Sequence, residues 1–113
     1  MKNKYIMLIM LVFLSGCSWS KLEIGYGIAS CFATGTDAYT TMRMLDNPDN
    51  HERNPILGKH PSDAEIIIYM ASSQILALTV AHFVPEWRKL ILGSKTAINL
   101  GASLNNVRLD WNE

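Results

Sequence analysis

The hydrophobic residues of this chain are grouped into one short N-terminal run and three longer segments. The short run extends from Tyr5 to Leu14, and the three segments cover about residues 21–45, 63–84 and 87–107. Within each segment, apolar and small residues recur three and four positions apart, which is the spacing of one face of an α-helix. The pattern predicts an all-α protein, a small bundle of two to three closely packed helices.

Small residues also form a ladder at four-residue spacing in each of the three segments. The ladders are Gly25, Ala29 and Ala33, then Ser73, Ala77 and Ala81, then Gly93, Ala97 and Gly101. Small side chains at this spacing let two helix backbones approach closely. We therefore expect the ladders to form the helix contacts; the alternative is that alanine-rich helices produce such spacing by chance.

The second segment has a clear helix start and the length of a membrane span. Ser62 and Glu65 form a capping-box pattern, and Pro85 ends the apolar stretch. Residues 66–84 are 19 positions without Asp, Glu, Lys or Arg, and about 20 apolar residues cross a bilayer. Because polar residues within the stretch oppose insertion, it fits either a membrane-inserted helix or a helix buried in a soluble bundle. The other two segments contain charged residues and are not expected to span alone.

The N-terminal run has the charge order of a secretory signal peptide. Lys2 and Lys4 precede ten uncharged residues, and small residues follow them. At a rise of ~1.5 Å per residue, a helix of this length covers only about half of a hydrocarbon core of ~30 Å. The run is therefore too short for a permanent transmembrane helix.

The residues that close this run resemble the lipobox of bacterial lipoproteins. They are Leu14, Ser15, Gly16 and Cys17. The resemblance implies that residues 1–16 are a lipoprotein signal peptide, that Cys17 carries the lipid, and that residues 17–113 form a lipid-anchored helical domain. The alternative is an ordinary signal peptide or short anchor with a chance cysteine.

Location and partners follow from this resemblance and from the charge. In lipoproteins, a serine after the cysteine, here Ser18, is compatible with the outer membrane, so in a Gram-negative host we expect its periplasmic face. Without Lys2 and Lys4, eight Lys and Arg residues remain against ten Asp and Glu, whereas phosphate binding needs a clustered positive face. We expect no nucleic-acid partner; the expected partners are the membrane, through the lipid on Cys17, and another envelope protein.

A polar loop, residues 46–61, separates the first two segments and is rich in Asn, Asp and Pro, which favour turns. Asp37 and Thr41 form a D-x-x-x-T pattern, and Glu52 begins an E-x-N-P-x-x-G pattern in this loop. Together the two patterns resemble those of small bacterial helical membrane proteins to which no activity is assigned. The resemblance covers roughly residues 35–90 and implies an architecture rather than a chemistry.

Asp37 is expected to be buried. Counting by four from Gly25 reaches Asp37, so the carboxylate lies on the predicted packing face. An unpaired buried carboxylate is strongly destabilising. We hypothesise that Asp37 latches the first helix to the following loop, with Arg43, His51 and Arg53 as further candidate partners. The residues of this structural polar latch are Asp37, Thr40, Thr41, Glu52 and Asn54.

A metal-binding or acid–base catalytic site is the alternative to the structural polar latch. Imidazole and carboxylate groups can bind zinc or activate water. The candidates are Asp37, His51, Glu52, His60 and His82. The sequence contains no H-E-x-x-H or other compact ligand pair, and adjacent side chains such as His51 and Glu52 point in different directions. We therefore expect no catalytic residue, no metal and no cofactor.

These features favour a membrane-anchored lipoprotein of the bacterial cell envelope that acts as a non-enzymatic accessory or interaction protein. Two alternatives stay open. One is an ion-binding or hydrolytic membrane protein that uses Asp37 and Glu52. The other is a phage- or prophage-encoded envelope protein for lysis or exclusion.

Overall fold

The structure, a computed structural model, describes residues 2–16 and 18–111. Its α-helices are α1 (Lys2–Gly16), α2 (Lys21–Leu45), α3 (Asp63–Phe83) and α4 (Arg88–Trp111). One 3₁₀ turn, Pro85–Trp87, joins α3 to α4, and no strand occurs in the described ranges. The predicted all-α class is confirmed. The predicted lipid attachment site, Cys17, lies outside the described residues.

Three of the helices form a bundle. α2 packs most extensively against α4, and α3 packs against both. α2 and α4 run in the same direction, since Glu23 meets Arg88 at one end of the pair and Thr41 meets Asn106 at the other. α3 runs opposite to them. α1 lies outside the bundle, and its side chains at residues 5–10 are between 54 and 68% exposed.

Local hydrogen bonds explain where α2 and α3 begin. Ser20 and Glu23 form a reciprocal capping box at the start of α2. At the start of α3, the Ser62 hydroxyl accepts a hydrogen bond from the backbone amide of Glu65 at 3.2 Å, as the sequence pattern predicts. Such caps satisfy amide groups that the first helical turn leaves without partners. α3 ends just before Pro85, which cannot continue the helix.

The connection between α2 and α3, residues 46–62, is a loop as predicted. The backbone amide of Glu52 donates to the carbonyl of Lys59 at 2.8 Å and closes the loop. Within it, the amides of Leu57 and Gly58 both donate to the Asn54 carbonyl at 3.2 Å. Gly58 adopts a φ of +79°, a conformation that favours glycine.

The small-residue ladders do not form the helix contacts as a whole, and this prediction is wrong for α2 and α4. Gly25 and Ala29 of the first ladder are exposed, and so are Ala97 and Gly101 of the third. A helix has 3.6 residues per turn, so a strict four-residue spacing rotates by about 40° at each step and stays on the packing face for only part of its length. The first ladder reaches this face only at buried Ala33, and the ladder in α3 runs from half-buried Ser73 to buried Ala81.

Two glycines, Gly27 and the ladder residue Gly93, have an aromatic ring close to the backbone. A Cβ atom at Gly27 would lie 3.3 Å from the ring of Trp19, and one at Gly93 would lie 3.3 Å from the ring of Tyr26. The missing side chains therefore make room for aromatic rings rather than for a neighbouring backbone.

The interior of the bundle is more polar than apolar. The buried apolar residues are Ala33, Met44, Ile66, Met70, Ala81 and Leu92. The buried polar residues are more numerous: Ser30, Thr34, Asp37, Thr40, Thr41, Gln74, Arg88, Asn99, Ser103 and Asn106. Large aliphatic and aromatic side chains point outward on all three helices. Among the described helices, α3 is the one whose length and composition alone would allow it to cross a membrane.

Candidate functional site

The candidate site is centred on Asp37, which is 6% exposed in the middle of the bundle. Its Oδ2 atom accepts a hydrogen bond from the Nδ2 of Asn99 at 2.6 Å. Its Oδ1 atom accepts one from the Thr41 hydroxyl at 3.2 Å and lies 3.4 Å from the Nδ2 of Asn106. Asp37 is thus held by one residue of its own helix and two of α4.

Asn106 connects the same cluster to two threonines, Thr41 of the sequence motif and the preceding Thr40. Its Nδ2 lies 2.9 Å from the hydroxyl oxygen of Thr41 and 3.1 Å from that of Thr40. The Thr40 hydroxyl also reaches the backbone carbonyls of Thr36 and Asp37. Thr40 and Thr41 therefore take part in the cluster, which joins α2 to α4.

Gln74 joins α3 to the polar core about one turn of α2 before Asp37. Its Nε2 donates to the Ser30 hydroxyl at 2.8 Å, and its Oε1 accepts from the Thr34 hydroxyl at 2.7 Å. Lys95 adds a second connection, because its Nζ donates to Asn99 Oδ1 at 2.9 Å and reaches Ser73 Oγ at 3.3 Å. In the described part of the chain, every buried side-chain nitrogen and oxygen has a hydrogen-bond partner. A fully satisfied network of this kind fixes the arrangement of its helices.

The sequence contains a signal for this core that the small-residue ladders do not show. Polar positions in α2 fall at Ser30, Thr34, Asp37 and Thr41, and those in α4 fall at Lys95, Asn99, Ser103 and Asn106. Both sets follow three- and four-residue steps, so each forms a polar stripe on one helix face. Polar stripes on the first and third segments therefore indicate a polar interface between these two helices.

The other latch residues of the loop lie next to this cluster. The Glu52 Oε1 atom accepts hydrogen bonds from the backbone amides of Arg53 at 2.9 Å and Asn54 at 3.1 Å. Asn54 Oδ1 accepts one from the Ile56 amide at 3.0 Å. Glu52 and Asn54 therefore shape the loop itself, whereas Asp37 is hydrogen-bonded to α2 and α4, so the latch joins these two helices instead of joining α2 to the loop as hypothesised. Arg43, a further candidate partner for Asp37, forms an ion pair with Asp110, since its Nη2 atom lies 3.8 Å from the Oδ2 of Asp110.

A cavity of about 620 Å³ opens between α3 and α4 beside the cluster. Asp37, Glu52 and Lys95 line it together with Asn54, and apolar side chains form most of the remaining wall. The structure therefore brings the carboxylates of Asp37 and Glu52 to one space. Groups of three or more His, Cys, Asp or Glu side chains arranged for a metal ion do not occur in the described residues.

A second polar cluster lies at the end of the bundle where α2 and α4 begin. Arg88 is 2% exposed, and its Nε and Nη2 atoms donate to the carbonyls of Ala81 and His82 at 2.9 and 3.0 Å. Its Nη1 lies 3.1 Å from Glu23 Oε2. Arg88 thus satisfies the last carbonyls of α3, which an α-helix leaves without partners, and ties them to α2.

Trp19 and Glu23 complete this end cluster. The Arg88 guanidinium lies 4.5 Å from the centre of the Trp19 ring, and Trp19 Nε1 donates to His82 Nδ1 at 3.1 Å. The hydrogen bond from the Ser20 backbone amide lowers the pKa of the Glu23 carboxyl below its ordinary value, and the Arg88 charge adds to this effect. His82, a metal candidate in the sequence, is therefore a hydrogen-bond partner of Trp19.

Comparison of the chain with protein families, with curated proteins and with solved structures found no match.

Proposed function

We propose that this chain is a lipid-anchored helical accessory protein of a bacterial cell envelope, which acts by binding another envelope protein without turnover. The proposal combines the lipobox resemblance at Cys17 with the chemistry of the polar core. Its first part concerns the anchor and its second part concerns the absence of turnover, and each part has its own test.

The hydrogen bonds to both carboxylate oxygens of Asp37 are the observation that supports a non-enzymatic role. Both oxygens of this carboxylate already accept hydrogen bonds from Asn99 and Thr41. A general base must reach a proton on its substrate, and a carboxylate held by internal donors is poorly placed for that task. The amide and hydroxyl partners are also weak acids and bases, so the cluster supports a structural latch.

The end cluster supports a membrane-proximal position for the start of α2. Trp19 and Lys21 follow shortly after Cys17, and Trp87 and Lys89 lie at the same end of the bundle, next to Arg88. Tryptophan and basic side chains favour the headgroup region of a membrane. A lipid on Cys17 would insert beside these residues.

Metabolic labelling with palmitate tests the anchor. We expect the wild-type chain to incorporate the label and Cys17→Ala to lose it, with the mature chain in the membrane fraction. Cys31→Ala is the matched control, because it removes the other thiol of the chain and should leave labelling unchanged. Retention of Met1 and an unmodified Cys17 sulfur in the mass spectrum of the wild-type chain would contradict the anchor.

Site-specific photocrosslinking in cells tests the accessory role. A photoreactive residue at Ile56 or Leu57, in the loop beside the cavity, should give one discrete adduct with an envelope protein. Controls at Leu22 and Ile28, which do not line the cavity, should not give that adduct. Equal adducts from all four positions would indicate non-specific proximity and contradict a defined partner surface.

The shared cavity of Asp37 and Glu52 favours one second candidate, an ion-binding or hydrolytic membrane protein. Calorimetric titration of the purified chain with Ca²⁺, Mg²⁺ and Zn²⁺ separates the two candidates. Saturable binding that Glu52→Gln abolishes would support the second candidate. Absence of saturable heat for all three ions would support the structural latch.

A further inference from the structure

The outer surface of the bundle is uncharged along most of its length. The stretches are residues 24–42 in α2, residues 66–84 in α3 and its C-cap, and residues 90–107 in α4. No exposed side chain in these described stretches carries a charge. Representative side chains are between 64 and 73% exposed: Ile28, Phe32, Ile75, Leu76, Ile98 and Leu104. We call this surface the apolar belt.

The two charged residues within these stretches point away from the belt. Asp37 is buried against α4, and Lys95 is half-buried with its ammonium group on Ser73 and Asn99. The remaining charges of the bundle lie beyond the belt at its two ends. One end carries Lys21, Glu23, Glu86, Arg88 and Lys89, and the other carries Arg43, Asp63, Glu65, Arg108, Asp110 and the charges of the loop.

The length of the belt fits a bilayer. Its three stretches have 19, 19 and 18 residues, which at ~1.5 Å per residue gives about 27–29 Å, against a hydrocarbon core of ~30 Å. Trp19 and Trp87 lie at one end, where the charged residues begin. Aromatic side chains at this level are typical of membrane–water interfaces.

The polar core removes the main objection to insertion of α2 and α4. Neither helix is apolar enough to cross a membrane alone, because each carries several amide, hydroxyl or charged groups. In the bundle the buried groups of this kind are hydrogen-bonded, since every buried polar side-chain atom in the described residues has a partner. Polar residues within membrane helices face the bundle interior and pair in this way.

We propose that α2, α3 and α4 cross a bilayer together, with the apolar belt covered by lipid acyl chains. The end with Trp19 and Arg88 then lies on the side of Cys17, and the loop of residues 46–62 lies on the opposite side. In water the same belt would expose large apolar side chains on all three helices, and soluble monomers rarely carry large exposed apolar surfaces. The arrangement does not depend on lipidation of Cys17.

Cysteine accessibility in the full-length chain tests the span. Reporter cysteines are introduced one at a time in a Cys31→Ala background, at Phe32, Ile75 and Leu104 in the belt and at Asp49 and Lys89 beyond it. Maleimides react with the thiolate, which forms in water and not in hydrocarbon. The purified variants are reconstituted into phosphatidylcholine vesicles and treated with membrane-permeant N-ethylmaleimide; the Cys31→Ala parent gives the background from Cys17.

We expect the three belt cysteines to react at least tenfold more slowly than those at Asp49 and Lys89, and all five to react fully after denaturation. Equal rates at belt and end positions would overturn the span. Protection in native membranes that is lost in phosphatidylcholine vesicles would also overturn it, since a protein would then cover the belt. Palmitate labelling of Cys17 reports on the anchor separately, so either proposal can fail while the other stands.

Discussion

Two carboxylates on α2 are stabilised by different chemistry. Asp37, in the middle of the bundle, is held by the neutral donors of Asn99 and Thr41. Glu23, at the end of the bundle, pairs with the Arg88 guanidinium and with a backbone amide. The centre is fixed by neutral amide and hydroxyl groups, while the end joins its helices through a largely buried ion pair. Because the central cluster lies within the most extensive helix contact, between α2 and α4, it should contribute more to stability.

Replacement of Asp37 by alanine should have the largest effect. It removes the acceptor for two α4 amides, and a buried polar group left without its partner costs about 3 kcal/mol. We expect this loss in the unfolding free energy of the purified chain in mild detergent. Thr36→Ala is the matched control on the same helix, because its hydroxyl bonds to its own helix backbone. A loss for Asp37→Ala no greater than for Thr36→Ala would show that the cluster is not a latch.

Replacement of Arg88 by alanine should have the next largest effect. The carbonyls of Ala81 and His82 lose their donor, and we expect a loss of about 2 kcal/mol in the unfolding free energy. Lys89→Ala, at the adjacent exposed position, is the control. Were Arg88→Ala to destabilise the chain more than Asp37→Ala, the end cluster rather than the centre would hold the bundle together.

Asn106→Ala should cost about 1–2 kcal/mol, because the Thr40 and Thr41 hydroxyls lose a donor. The neighbouring Asn105 contacts Arg108 at the surface, so Asn105→Ala should change the unfolding free energy by less than about 0.5 kcal/mol. Chemical denaturation in detergent measures both. Equal losses for the two asparagines would remove Asn106 from the central cluster.

Two glycine substitutions in α2 should raise the unfolding free energy, whereas the substitutions above lower it. A Cβ atom added at Gly25 would meet only open space, so Gly25→Ala should stabilise the helix by about 0.5–1 kcal/mol. Gly27→Ala should stabilise it less, because the added carbon would lie 3.3 Å from Trp19 and the ring must shift. Equal gains in melting temperature for both variants would mean that Trp19 does not pack on α2 as the structure shows.

The smallest expected effect is the pH dependence of the end cluster. Because the pKa of Glu23 is lowered in the folded chain, its contribution is present above the ordinary glutamate pKa of 4.5 and is lost as the pH falls through the lowered value. Glu23→Gln should therefore melt below the wild type at pH 7, and the difference should shrink as the pH drops below 4.5. A difference that stays constant from pH 7 to acid would exclude the ion pair as its source.

The helices could be predicted from the sequence because their boundaries are set by local chemistry. The Ser62 cap and Pro85 act within a few residues of themselves, and the observed α2 and α3 agree closely with the predicted segments. The sequence predicts that the third segment ends at about residue 107, yet α4 continues to Trp111. Its asparagines resemble a polar tail in sequence, whereas Asn106 is buried and hydrogen-bonded to α2.

The partners of Asp37 could not be predicted in the same way. The contact between Asp37 and Thr41 spans one helical turn, so the motif spacing shows it directly. The contact with Asn99 joins residues 62 positions apart, and it depends on which helices become neighbours. Apolar and small residues usually mark the packing face of a helix, whereas in this bundle the packing faces of α2 and α4 are largely polar.

The pairing of Asp37 with Asn99 has a consequence for how this chain could diverge. A residue that meets only hydrocarbon can exchange freely among Ile, Leu, Val and Phe. Asp37 on α2 and Asn99 on α4 have no such freedom, because a substitution of either leaves the other buried without its hydrogen-bond partner. Homologous chains should therefore vary among apolar residues at position 104 and show correlated substitutions at positions 37 and 99.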